Sequence, residues 1–205
     1  MGKKLKENIE TTFQTNISRV RTLISFYSSS QSGNSQNPSL ADYDILRSAI
    51  VFLHATFEDL LRGVYKWKLS MQGGEKWKKI PLYGLSDKNQ FKAFSFEDLY
   101  AHKTLSIEEL FNKSLEEYLK YTNYNKIEDV VAILSDIGID KSIFEALFPD
   151  LLKLFLRRHN IVHRADRKGT LDNLTTDLTP ISDWEVNQWL NTVENFGKLL
   201  LDELQ

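Results

Sequence analysis

Arg158 and His163 stand five residues apart in the run Arg157-Arg158-His159-Asn160-Ile161-Val162-His163-Arg164. A guanidinium is always charged in proteins and meets phosphate oxygens with two parallel N–H donors. An imidazole titrates near neutrality, so it can take a proton or give one. Side by side, the two types suit chemistry on a phosphate ester. Between Leu151 and Lys168 fall four of the eight arginines, two of the four histidines and no glutamate.

These residues need a helix to position them. Pro149 fits a first helical turn, and Asp150 suits the positive end of the dipole. Leu151, Leu152, Leu154, Phe155, Ile161 and Val162 recur at three- and four-residue spacings, which predicts one broad apolar face. Arg164, Arg167 and Lys168 are expected in the last turn, with Gly169 as the stop. A helix that buries its first half places the cationic cluster at the rim of the core. Five residues turn an ideal helix by about 140°, so Arg158 and His163 do not share a face. Either the long arginine leans towards the imidazole or a second subunit supplies the partner group. His159 and His163, at i and i+4, do share a face.

Arg158-His159-Asn160-Ile161-Val162-His163 resembles the Arg-x4–6-His signature of the HEPN superfamily, in whose commonest form a polar residue follows the arginine, as His159 does here. Arg157 before the signature, and Arg164 and Asp166 after it, extend the likeness. The resemblance implies an all-α fold: an up-and-down bundle of long helices with an inserted group of short ones. It implies a homodimer whose paired signatures meet in one cleft, and metal-independent cleavage of RNA with no cofactor. In that picture Arg158 clamps phosphate and His163 is the general base or acid. His159, Asn160, Arg157 and Arg164 shape the cleft, and Asp166 orients a side chain. Glu58, in Phe57-Glu58-x-x-Leu61, matches an acidic position that HEPN-like chains often carry. Its simpler role is an i, i+4 pair with Arg62, which is favoured here. An RNase of this kind would harm its host, so the resemblance also suggests a toxin or anti-phage effector restrained by an inhibitor or antitoxin protein.

Two other readings compete. His159-x3-His163 has the spacing of a zinc-binding pair on a helix, but Asn160 stands where the metalloprotease motif has glutamate, and the chain has no cysteine. The second is a non-catalytic helical dimer that uses the cluster to bind nucleic acid, a nucleotide or a partner protein.

Composition bounds all of this. At 205 residues, 41% of them hydrophobic and 26% charged, the chain reads as one globular domain over 1–205. The missing cysteines exclude disulfides and fit a cytoplasmic location. Met1 to Glu7 is charged with no apolar segment after it, so no secretory signal is expected. No apolar run is long enough to cross a bilayer, so no membrane partner is expected. A net charge of −2 leaves nucleic-acid binding to a local basic patch.

Along the chain, Leu5, Ile9, Phe13, Ile17, Val20, Ile24 and Tyr27 predict a helix from Lys3 to about Tyr27, then a polar loop over Ser28 to Ser39. Ser39 or Asp42 caps a second long helix to about Leu69. Its stripe is Ile45, Ala49, Phe52, Ala55/Thr56, Leu60 and Val64, widened by Leu46, Ile50, Leu53, Phe57 and Leu61. His54, inside that stretch, reads as a core or interface histidine. Trp67 to Lys79 interleaves tryptophans with lysines, which could stack bases but is more simply a helix end and loop. Leu82 to Ala93 lacks periodicity. Short helices follow between about 95 and 147, opened by Ser95-x-x-Asp98 and Ser106-x-x-Glu109, with Gly138 closing one of them. The run Glu108, Glu109, Glu116 and Glu117 reads as a solvated face. Thr170 to Pro180 is expected to be extended or loop without strand pairing. Ser182-x-x-Glu185 caps a final helix carrying Trp184, Val186, Trp189, Leu190, Val193, Phe196, Leu200 and Leu204.

Overall fold

The computed structural model describes residues 2–33, 38–71, 77–78, 80–84, 95–170 and 173–204. Helices dominate: α1 (Gly2–Gly33), α2 (Leu40–Met71), α3 (Phe96–Tyr100), α4 (Ile107–Lys120), α5 (Ile127–Asp136), α6 (Phe148–Arg164) and α7 (Asp183–Asp202). Short 3₁₀ turns at Lys141–Ile143 and Glu145–Leu147 lead into α6. The all-α class implied by the sequence is observed. No helix among the described residues is long and apolar enough to cross a membrane.

The central element is α2, which packs against α1, α6 and α7. Its buried side chains include Leu46, Ala49, Ile50, Leu53, Phe57, Leu60, Leu61 and Val64. They face Ile9, Phe13, Ile17, Val20 and Ile24 of α1, and Val186, Leu190, Val193, Phe196 and Leu200 of α7, in one hydrophobic cluster. Phe52 departs from the predicted stripe: it is 43% exposed, and Arg19 lies over its ring at 5.1 Å. Ala49, Thr56, Leu60 and Val64 of that stripe are buried, together with the widening residues Leu46, Ile50, Leu53, Phe57 and Leu61.

Helix starts follow the predicted caps. Ser95, Ser106 and Ser182 each close a reciprocal capping box with Asp98, Glu109 and Glu185. Ser39 and Asp42 exchange the same pair of bonds at the start of α2.

Two predicted boundaries are corrected. Helix α1 does not stop at Tyr27 but runs to Gly33. Its serines return their hydroxyls to the preceding turn, Ser28 to the Ile24 carbonyl at 3.2 Å and Ser29 to the Ser25 carbonyl at 2.8 Å, which lets a polar stretch stay helical. Helix α6 ends at Arg164, not at Lys168. Ala165 and Asp166 adopt left-handed φ angles of 49° and 58° and turn the chain. The expectation of no strand pairing is also overturned. Arg167–Thr170 (β1) pairs antiparallel with Asn173–Leu178 (β2), with a register irregularity between Arg167 and Gly169. Gly169, predicted as a helix stop, sits inside β1 with φ of 91°, a conformation glycine adopts without strain.

The tryptophan–lysine stretch divides. Trp67 lies in the core, and Trp77 packs its ring 5.3 Å from Phe111. Residues 72–76 and 79 lie outside the described residues, as do 85–94, which hold most of the aperiodic segment.

Candidate active site

Helix α6 buries Leu151, Leu154 and Phe155 fully and leaves Leu152 45%, Leu156 58% and Val162 47% exposed. The broad apolar face predicted for it is therefore narrower. Leu152 and Val162 fall outside it, because the helix lies against α2, α5 and α7 on one side only. Arg158 comes one turn after Leu154 and Phe155 and is partly buried. His159 and His163 are exposed, with ring centroids 4.6 Å apart. The structure thus brings the two imidazoles together and places Arg158 on the inward side of the same helix. Among the described residues no group of three or more His, Asp or Glu side chains converges to complete a metal site around the pair.

The other signature residues divide into engaged and free. Arg157 donates to the Asp166 carboxylate at 2.9 Å and to the Thr179 and Pro180 carbonyls, both at 3.0 Å. Burial draws its pKa down, and the neighbouring carboxylate opposes that. Asp166 is wholly buried and also accepts from Arg47 Nε at 2.7 Å. Its main-chain N–H bonds to the Asn160 carbonyl at 3.1 Å, and its carbonyl accepts from Thr179 N–H at 2.9 Å. Asp166 therefore orients two side chains, and Arg157 is one of them. Both residues tie the end of α6 to α2 and to the segment before α7. Arg164 donates to the Gly169 carbonyl and holds the start of the hairpin. Arg158 has no hydrogen bond or ion pair with any described residue. It is the signature arginine with its fork open.

Beneath Arg158 lies a polar cluster inside α2. His54, Glu58 and Arg62 recur at four-residue intervals and so stack along one face. Glu58 pairs with Arg62 at 3.3 Å and accepts from the Tyr124 N–H at 3.3 Å. The favoured ion-pair reading of Glu58 is what the structure shows. Arg62 also donates to the Leu119 and Thr122 carbonyls and covers the Tyr124 ring at 5.5 Å. His54 is 1% exposed and meets Phe155 edge-on at 5.1 Å, which makes it a core histidine. Burial depresses its pKa to about 4; Glu58 opposes this, while Arg158 and Arg62 add to it. The ring is neutral at physiological pH.

Sequence reasoning missed Arg47. Its partner Asp166 is 119 residues away, so no local spacing announces the pair. A hollow of about 350 Å³ opens beside this tie, between α2 and the end of α6, lined by Val51, Phe52 and Ile161 among others.

An all-α bundle with Arg-x4-His at the rim of its core has the form of a HEPN-like protein. Residues 14–205 match the family model described as RiboL-PSP-HEPN, and the chain belongs to that family within the HEPN superfamily. No curated protein and no solved structure matches it significantly. Membership points to a nuclease-like or nucleotide-binding role.

Proposed function

We propose that the protein is a metal-independent endoribonuclease acting as a dimer. The observation that carries this reading is the state of Arg158. Arg157 and Arg164 are held by protein acceptors, while Arg158 has none among the described residues, at a rim where an incoming phosphate would find it. A guanidinium without an internal partner is available to donate to two phosphate oxygens.

The chemistry follows from the two residue types. One His163 imidazole takes the proton of a ribose 2′-OH as that oxygen attacks the adjacent phosphorus. Negative charge on the non-bridging oxygens is balanced by Arg158. The bond to the 5′-oxygen breaks, and a second imidazole, protonated, gives its proton to the leaving oxygen. The products are a 2′,3′-cyclic phosphate and a 5′-OH. His159 and Asn160 flank the reacting groups.

One chain supplies His163 once and turns it away from Arg158. A two-fold partner supplies the second imidazole and a second guanidinium in one cleft. Exposed Leu152 and Leu156 lie on the same flank of α6 as His159 and His163, an apolar stripe suited to a second copy. Leu156→Glu is expected to monomerise the protein in sedimentation and to reduce RNA cleavage in parallel. A dimer that persists in this variant with cleavage intact would remove α6 from the interface.

The same divergence of Arg158 and His163 on one helix favours the second reading, a non-catalytic dimer that binds nucleic acid or a nucleotide. RNA cleavage in EDTA separates the two. In the cell we infer a toxin or anti-phage effector held in check by an inhibitor protein. Induced expression is expected to slow growth; growth unchanged both with and without phage would count against that role.

A further inference from the structure

The core holds an acceptor with no donor beside a donor with no acceptor. His54 Nε2 is buried and unpartnered. The Tyr124 backbone lies near the ring and favours its protonation. In the neutral tautomer that carries its proton on Nδ1, Nε2 presents a lone pair. A buried polar atom left unpaired is destabilising. The ring feels the charge of two cations, Arg62 and Arg158. Arg62 is committed to Glu58 and to two carbonyls. Arg158 is uncommitted, and it follows by one turn Phe155, whose ring touches His54.

We propose that His54 is a positioning residue for Arg158: its Nε2 accepts one guanidinium N–H and aims the rest of the fork outward at phosphate. The contact satisfies the imidazole and restricts a long side chain that would otherwise lose rotamer freedom when phosphate binds. A neutral ring suits the task, because an imidazolium would repel the arginine. The inference rests on the phosphate-clamp reading of Arg158, but its first test does not need cleavage.

That test is the imidazole ¹⁵N spectrum of the full chain with labelled histidine. In the wild type the His54 Nε2 resonance is expected at the position of a hydrogen-bonded lone pair, moving to that of a free lone pair in Arg158→Ala. An Nε2 resonance that Arg158→Ala leaves in place overturns the proposal. The kinetic arm uses two substitutions. His54→Phe keeps a ring against Phe155 and removes the acceptor; His54→Gln returns an acceptor near Nε2. About a tenfold fall in kcat/KM is expected for the first, the size of one charge-assisted hydrogen bond, with most of it recovered in the second. Equal losses in two folded variants would reduce His54 to packing and overturn the aiming role. If the wild type cuts no RNA, the nuclease reading fails while the ¹⁵N comparison still decides this one.

Discussion

Asp166→Ala is expected to cost about 3–5 kcal/mol of stability, the range for breaking a buried ion pair by removing one partner. In a chain of this size that is a fall in Tm on the order of 10 °C. Asp166 is wholly buried and receives both Arg47 and Arg157, whose side chains are only 9% and 12% exposed. Without the carboxylate, two guanidiniums face each other out of water. The damage should also spread. The αL turn at Ala165 and Asp166 ends α6, and the Arg157 fork reaches past it to the carbonyls of Thr179 and Pro180 just before α7. Asp166→Asn keeps the shape and tolerates positive φ, so it should fall between wild type and alanine. Urea unfolding of the three proteins measures the series. A loss under about 1 kcal/mol in the alanine variant would show that the arginines find water or other acceptors.

Arg158→Ala and His163→Ala are each expected to lower RNA cleavage by about 10²- to 10⁴-fold, the usual range for removing a general acid–base group or a donor to transition-state charge. His163→Ala should leave stability nearly unchanged, because His163 is exposed, and Arg158→Ala should cost no more than the one hydrogen bond proposed to His54. Arg157→Ala should do the reverse. It sits next to Arg158 in sequence yet serves Asp166, so it should lower Tm first and affect cleavage only through folding. Arg158→Lys tests geometry against charge. A lysine keeps the cation but cannot offer two parallel donors, so it should recover only a small part of the loss. Cleavage rates with thermal melts on the same preparations distinguish these cases. An Arg158→Ala protein that unfolds as Asp166→Ala does would mean that Arg158 is structural.

The bundle was legible because its long helices repeat apolar residues at three and four over many turns. Phe13, Ile17, Val20 and Ile24 are buried as their spacing predicts. Capping boxes at Ser106 and Ser182 marked helix starts for the same reason: the hydrogen bonds are local and the letters adjacent. What failed was non-local or side-chain dependent. The pairing of Arg167–Thr170 with Asn173–Leu178 gave no signal, since β1 has basic residues and a glycine where an apolar alternation would be sought. The serines after Tyr27 looked like a loop because their composition says nothing of hydroxyls folding back on carbonyls. At the site, the motif named Arg158 and His163 but could not tell Arg157, which faces inward, from Arg158, which has no partner. That distinction comes from Arg47 and Asp166 meeting across the chain. The Glu58–Arg62 pair was legible from its four-residue spacing, while His54, one turn earlier, read only as a core or interface histidine. Only the burial of His54 and its empty Nε2 turned that histidine into a candidate support for the clamp.

The most direct measurement is cleavage of a labelled RNA by the purified wild type in EDTA, beside Arg158→Ala and His163→Ala, with the product ends identified. Cutting by the wild type alone is expected, leaving 2′,3′-cyclic phosphate and 5′-OH ends that only attack by the 2′-oxygen produces. Ends of 3′-OH and 5′-phosphate, equal cutting by the two variants, or no cutting on varied RNAs by a wild type that still binds them would contradict the proposed mechanism.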